Sequence, residues 1–115
     1  MSGKIYMAGP MTGLPDFNYP AFHAAEKRWT EAGWWVLNPA THFGGDQSLP
    51  YVVYLRAALR TVTFEADAIA LLDGWRGSKG ACAEAHVAAV LDLPFYDAET
   101  MARIATPGLF CQPTL

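Results

Sequence analysis

Charge is scarce in this chain of 115 residues: Asp, Glu, Lys and Arg make up 17% of it, and the eight Lys and Arg are scattered. There is no basic stripe of the kind that tracks a nucleic-acid backbone. With a net charge of −3, the expected partner is a small molecule rather than DNA or RNA. Cysteine is equally scarce. Cys82 and Cys111 stand in unlike contexts, and neither they nor His23 and His42 show metal-ligand spacing. No disulfide framework and no metal centre is expected, and a reducing, cytoplasmic interior is the default. No apolar run approaches the roughly 18 residues of a membrane span, and no basic-then-apolar leader is readable, so neither a membrane association nor export is expected.

What the chain has in quantity is apolar surface. Apolar residues make up 52% of it, high for a length that forms one domain, here residues 1–115. Part of that surface is expected to lie against a second copy, as in a homo-oligomer. The apolar, unpatterned tail Leu109 to Leu115 suits the same role.

The order of elements follows from the apolar runs. Lys4 to Ala8 predicts a first strand, broken by Gly9-Pro10 and followed by a loop to Asn18. Phe22, Ala25 and Trp29 recur at helical spacing within Tyr19–Ala32, with Asn18 as N-cap and Gly33 as terminator. Trp34 to Asn38 predicts a second strand, cut off by Pro39. Ala40 to Pro50 has no periodicity and reads as a long loop of the kind used for lids and binding. Val52, Leu55, Leu59 and Val62 predict an amphipathic helix over Tyr51–Phe64. Ala68 to Leu72 is continuously apolar, as a strand covered on both faces is. A glycine-rich turn then leads into a helix from Ala81 to Leu91, a short strand at Pro94–Tyr96, and a helical turn or two within Ala98–Ala105. Strands alternating with helices predict an α/β domain, a small parallel sheet of four to five strands with helices on both faces.

The chemistry is expected where the third strand gives way to the third helix. A strand, a glycine turn and a helix start leave backbone N–H groups without intrahelical partners at the carboxyl edge of the sheet, a place suited to an anion. Ser78, Lys79 and the N–H groups near Gly80 are candidates to hold a phosphate; Ser78 also suits a plain helix cap. Gly80 keeps side-chain bulk away from the backbone. Glu84 lies four residues on and faces the same side, displaced by about 6 Å along the axis. A carboxylate there suits attack on a sugar carbon attached to that phosphate, and the helix start favours its ionised form. A solvated glutamate is the plain alternative. Gly9 and Pro10 border the site from the end of the first strand. Trp75 suits either stacking on a base or core packing, and Asp73 either a sugar hydroxyl or a turn. His86, two residues from Glu84, faces elsewhere and reads as structural. Cys82 reads as a small packing residue.

Three blocks, Ile5-Tyr6-Met7-Ala8-Gly9-Pro10, Ala66-Asp67-Ala68 and Ser78-Lys79-Gly80-Ala81-Cys82-Ala83-Glu84, resemble the nucleoside 2-deoxyribosyltransferase superfamily. The likeness runs from Lys4 to about Phe95 and is nearest to its short, phage-associated, uncharacterised branch. The resemblance implies a flavodoxin-like or Rossmann-like sheet and a glutamate nucleophile at Glu84 that forms a covalent deoxyribosyl-enzyme. It also implies that Tyr6 orients that glutamate, and that no cofactor takes part. The Ser78-Lys79-Gly80 pattern is similar to that of the nucleoside 5′-monophosphate N-glycosidases, where transferases acting on free nucleosides carry an aspartate. That implies hydrolysis or transfer at the N-glycosidic bond of a 2′-deoxynucleoside 5′-monophosphate. One departure stands against it: the aspartate that the superfamily carries in the second helix is replaced by Ala58 or Leu59. Loss of protonation help costs about 10²- to 10⁴-fold in rate. Asp16 or Asp46 from a loop are candidate substitutes, and a module that binds nucleotides or sugar phosphates without turnover is the alternative.

Overall fold

The structure, a computed structural model, describes residues 3–108. The expectation for the tail, Leu109 to Leu115, falls outside them. Four parallel strands form the sheet: β1 (Lys4–Ala8), β2 (Trp35–Leu37), β3 (Ala68–Leu71) and β4 (Phe95–Asp97), with a short antiparallel β5 (Arg103–Ile104) at one edge. Their order is β2-β1-β3-β4-β5. Three α-helices connect the parallel strands: α1 (Tyr19–Glu31), α2 (Tyr51–Phe64) and α3 (Lys79–Val90).

Alternation along the strands divides the core. Ile5 and Met7 of β1 and Ala68 and Ala70 of β3 point to one face, where Phe22, Ala25 and Trp29 of α1 cover them. Tyr6, Ala8, Ile69 and Leu71 point to the other, against Ala58 and Val62 of α2 and Ala81, Ala85 and Ala88 of α3. Because every residue of β3 is buried, its sequence shows no polar alternation, as expected for a strand covered on both sides. Alanine on the inward stripe of α3 lets the helix axis come close to the sheet.

The chain steps outward from β1 to β2, crosses back to β3 and continues away. The direction therefore reverses between β1 and β3, whose ends Ala8 and Leu71 are register partners. In open α/β sheets the crevice outside the strands' carboxyl ends at such a reversal is where ligands bind.

Three local expectations need correction. Ala98 to Ala105 is not helical: the Asp97 carboxylate accepts from the N–H groups of Glu99 and Thr100, Met101 turns left-handed at φ 67°, and the chain doubles back into β5. A local side-chain acceptor has outcompeted the helix for those amides. Asn18 precedes α1 but does not cap it; it sits at φ 59° and its amide donates instead to the Pro10 carbonyl at 2.9 Å, tying the loop after β1 together. The loop from Ala40 is not structureless, since a 3-10 segment spans Pro39–Gly45 and is capped by the Asn38 side chain on the Ala40 N–H.

Candidate functional site

Glu84 lies on the inward stripe of α3 with Ala81, Ala85 and Ala88, the i, i+3, i+4 positions that face the sheet. It is 8% exposed, which sets aside the solvated alternative. The small residues around it bring the carboxyl to the middle strand, where Tyr6 points to the same face. The Tyr6 hydroxyl donates to Glu84 Oε2 at 3.1 Å.

Burial dominates the electrostatics of this pair. It pushes the Glu84 carboxyl up to about 8, and the hydrogen bond from Tyr6 offsets only part of that. The Tyr6 hydroxyl is itself held well above the usual tyrosine range, first by burial and then by the Glu84 charge, so it stays protonated and remains the donor. The expectation that the helix start keeps Glu84 ionised is thus corrected. The favourable field fades within the first turn, and Glu84 stands in the second, where desolvation is stronger.

The carboxyl faces a cavity with two adjoining parts. The inner part, about 80 Å³, reaches Glu84 and is bordered by Gly9, Ser78, Gly80 and Ala81. The outer part, about 520 Å³, is bordered by Pro10, Ser78, Lys79 and Gly80. The structure therefore brings together Glu84, Tyr6, Gly9, Pro10 and the Ser78–Gly80 turn. Ser78 does cap α3, its Oγ accepting from the Ala81 N–H at 3.1 Å, which starts the helix at Lys79 rather than Ala81. The two expectations for Ser78 are compatible, since a capping hydroxyl still has a proton to donate.

Gly9 is required by packing. A Cβ there would meet the Leu72 Cβ at 2.7 Å, so the chain leaving β1 passes against β3 as only glycine allows. Gly80 has a neighbour the sequence did not disclose: a Cβ there would stand 3.0 Å from the Tyr51 hydroxyl, a tight contact that the tyrosine would have to relieve.

Asp73 and Trp75 fall elsewhere. Both line a separate cavity of about 330 Å³ beyond β3 and β4, with Asp97, Glu99 and Ile104. Trp75 packs against the α2/α3 side of the core and carries the Arg76 guanidinium on its ring at 4.5 Å. Their assignment to the Glu84 site is corrected, since neither residue lines either part of the Glu84 cavity.

At the place of the missing aspartate, Ala58 is buried in the core and Leu59 is half-buried. Neither Asp16 nor Asp46 lines the cavity; Asp46 is turned to Ser48, whose N–H and hydroxyl both donate to it. Glu84 is the one acidic residue among the described residues that border the two parts.

Several lining residues were missed. Phe17 and Tyr19 come from the loop after β1 and the start of α1, and Tyr51, Tyr54 and Leu55 from the first turns of α2. A signal for the last three was present, since 51, 54 and 55 share a helical face. Phe17 had none: it occupies the left-handed region at φ 54° between Asp16 and Asn18, which are left-handed as well. Tyr54 is fixed by donating to the Asp46 carbonyl and accepting from the Leu49 N–H, so the long loop and α2 form one wall.

Among the described residues no cluster of His, Cys, Asp and Glu suits a metal ion, and no helix is long and apolar enough to cross a membrane. A family model described as a domain of unknown function (DUF4406) matches residues 3–97. No curated protein matches the chain.

Proposed function

The chain belongs to that family of unknown function, and we propose that it cleaves or exchanges the N-glycosidic bond of a 2′-deoxynucleoside 5′-monophosphate, with Glu84 as nucleophile. The observation that carries this is the Glu84 carboxyl, buried at the end of a cavity, hydrogen-bonded to Tyr6 and one helical turn in from the Ser78–Gly80 turn. A phosphate held at the turn by Ser78, Lys79 and the first N–H groups of α3 sets the sugar toward the carboxyl. The strand order, with its reversal between β1 and β3, is in keeping with a flavodoxin-like arrangement and a nucleotide at that crevice.

The steps balance without a cofactor. An ionised Glu84 oxygen forms a bond to C1′ while the C1′–N bond breaks, its electron pair leaving with the base, which takes a proton from solvent. Water, or a second base, then attacks C1′ from the side the first base left and gives up its proton to solvent, the ester bond breaks, and its electrons return to the carboxylate. Two displacements retain configuration. Tyr6 donates to the carboxylate between turnovers and holds its orientation. With the carboxyl near 8, about a tenth of the free protein is ionised at pH 7 and the rate rises above neutrality.

The second reading is a module that binds a nucleotide or sugar phosphate without turnover. It is favoured by the absence of a second acid among the described lining residues and by the proton that burial keeps on Glu84. Incubation with a panel of deoxynucleoside monophosphates, with the matching nucleosides and Glu84→Gln as controls, separates the two. Free base from the monophosphates, abolished by the substitution, is the expected result. Tight binding with no base released by either protein selects the module, and equal turnover of nucleosides removes the preference for the phosphate.

A further inference from the structure

Tyr51 stands at the first position of α2, packed across the start of α3, and borders both parts of the cavity. Its hydroxyl occupies the space that a side chain at position 80 would need, 3.0 Å from a Cβ built there. The side chain is 45% exposed and borders the cavity, so its hydroxyl is open to solvent and to a ligand there. Burial, and behind it the Glu84 charge, hold this hydroxyl above the usual tyrosine range, which keeps it a donor and places it within electrostatic reach of the carboxyl.

We infer that the Tyr51 hydroxyl is a substrate-binding donor, directed at the phosphate end of the ligand, and that residue 80 is glycine to make room for it. This rests on the proposed phosphate site and adds a member from another element. Ser78, Lys79 and the α3 amides approach the ligand from below, and Tyr51 closes over it from α2. Nothing in the Ser78-Lys79-Gly80 pattern requires a tyrosine at position 51; it is the contact between Gly80 and the hydroxyl that joins them.

The two roles for Gly80 make opposite forecasts. If glycine is needed so that an anion can approach the backbone, Gly80→Ala weakens binding whatever stands at position 51. If it is needed for the tyrosine, Gly80→Ala weakens binding only while the hydroxyl is present, because in Tyr51→Phe the added methyl enters the vacated space. The test is the affinity of the wild type, the two single variants and the double variant for inorganic phosphate and for 2-deoxyribose 5-phosphate, measured by calorimetry. Thermal unfolding of each variant verifies that it is folded. Tyr51→Phe is expected to weaken 2-deoxyribose 5-phosphate by roughly tenfold, the effect of one hydrogen bond to a charged group. Gly80→Ala is expected to do the same, with no further loss in the double variant.

Unchanged affinity in Tyr51→Phe overturns the inference, as does an equal Gly80→Ala loss in both backgrounds or a wild type that binds neither anion. Because the sugar phosphate has no glycosidic bond, this outcome is independent of turnover. Anion binding that depends on Tyr51 without base release from any monophosphate upholds the donor and removes the glycosidic chemistry. Base release that ignores Tyr51→Phe does the reverse.

Discussion

At the scale of single residues, Glu84 is a carboxyl whose surroundings favour its proton, and that has a consequence for stability. The folded value of about 8 lies above the ordinary 4.5, so between those limits the folded state holds a proton that the unfolded state has released. Its contribution is complete below about pH 4.5 and is lost as pH rises to about 8. Each unit of separation is worth about 1.4 kcal/mol. Glu84→Gln, which keeps an acceptor for the Tyr6 hydroxyl, should therefore raise the unfolding midpoint by roughly 10–20 °C at pH 8 and by little at pH 4.5. A calorimetric scan at the two values checks this; an equal shift at both would mean that the carboxyl is solvated. Tyr6→Phe acts in the opposite direction. It removes the group that lowers the Glu84 value, so the pH–rate curve for base release should move to higher pH, with about 1–2 kcal/mol of stability lost for the acceptor left without its donor. A curve that stays in place would separate Tyr6 from the carboxyl's ionisation.

At the scale of elements, α3 joins the cap, the inward alanines and the carboxyl on one rigid rod. Ser78→Ala removes the acceptor for the Ala81 N–H and should cost about 1 kcal/mol, as N-caps generally do. Thermal melts give that figure, and loss of phosphate affinity beyond it reports the hydroxyl's second use. Gly9→Ala tests the other side of the crevice. The 2.7 Å approach to Leu72 leaves no room for a methyl, so β1 and β3 must separate at their ends, at about 1–3 kcal/mol. Much of this was legible in the sequence. The side shared by Gly80 and Glu84 was readable from spacing, whereas the burial of Glu84 was not, since α3 carries alanine or valine on most sides. Trp75 was not readable in the same way. Its neighbourhood depends on how the Gly74–Gly77 turn is wound, with Gly74 left-handed at φ 84°, and the structure places Trp75 at the far cavity. The turn at Asp97 was misread because helical propensity over Ala98–Ala105 says nothing of a carboxylate one residue upstream that captures two amides.

At the scale of the whole molecule, the site exists because the strand order reverses between β1 and β3, which opens a crevice that three separate stretches then line: the loop after β1, the first turns of α2 and the start of α3. That reversal is not written in any local pattern; the shared helical face of Tyr51, Tyr54 and Leu55 was, but only the strand order shows that it borders the crevice. The expected homo-oligomer belongs to this scale as well. Phe64 is 77% exposed, Val90 68% and Trp35 65%, apolar surface of the kind a second copy covers. Light scattering after size exclusion should give a mass of two or more chains, and a monomer at the same concentration would remove that expectation. Whether Glu84 attacks the sugar is read by rapid quenching of the protein with a deoxynucleoside monophosphate, followed by peptide mass analysis. The predicted result is a 2-deoxyribose 5-phosphate ester on the peptide that contains Glu84, formed as base is released. Base released while that peptide keeps its unmodified mass at every time point, or an adduct on another residue, would contradict it.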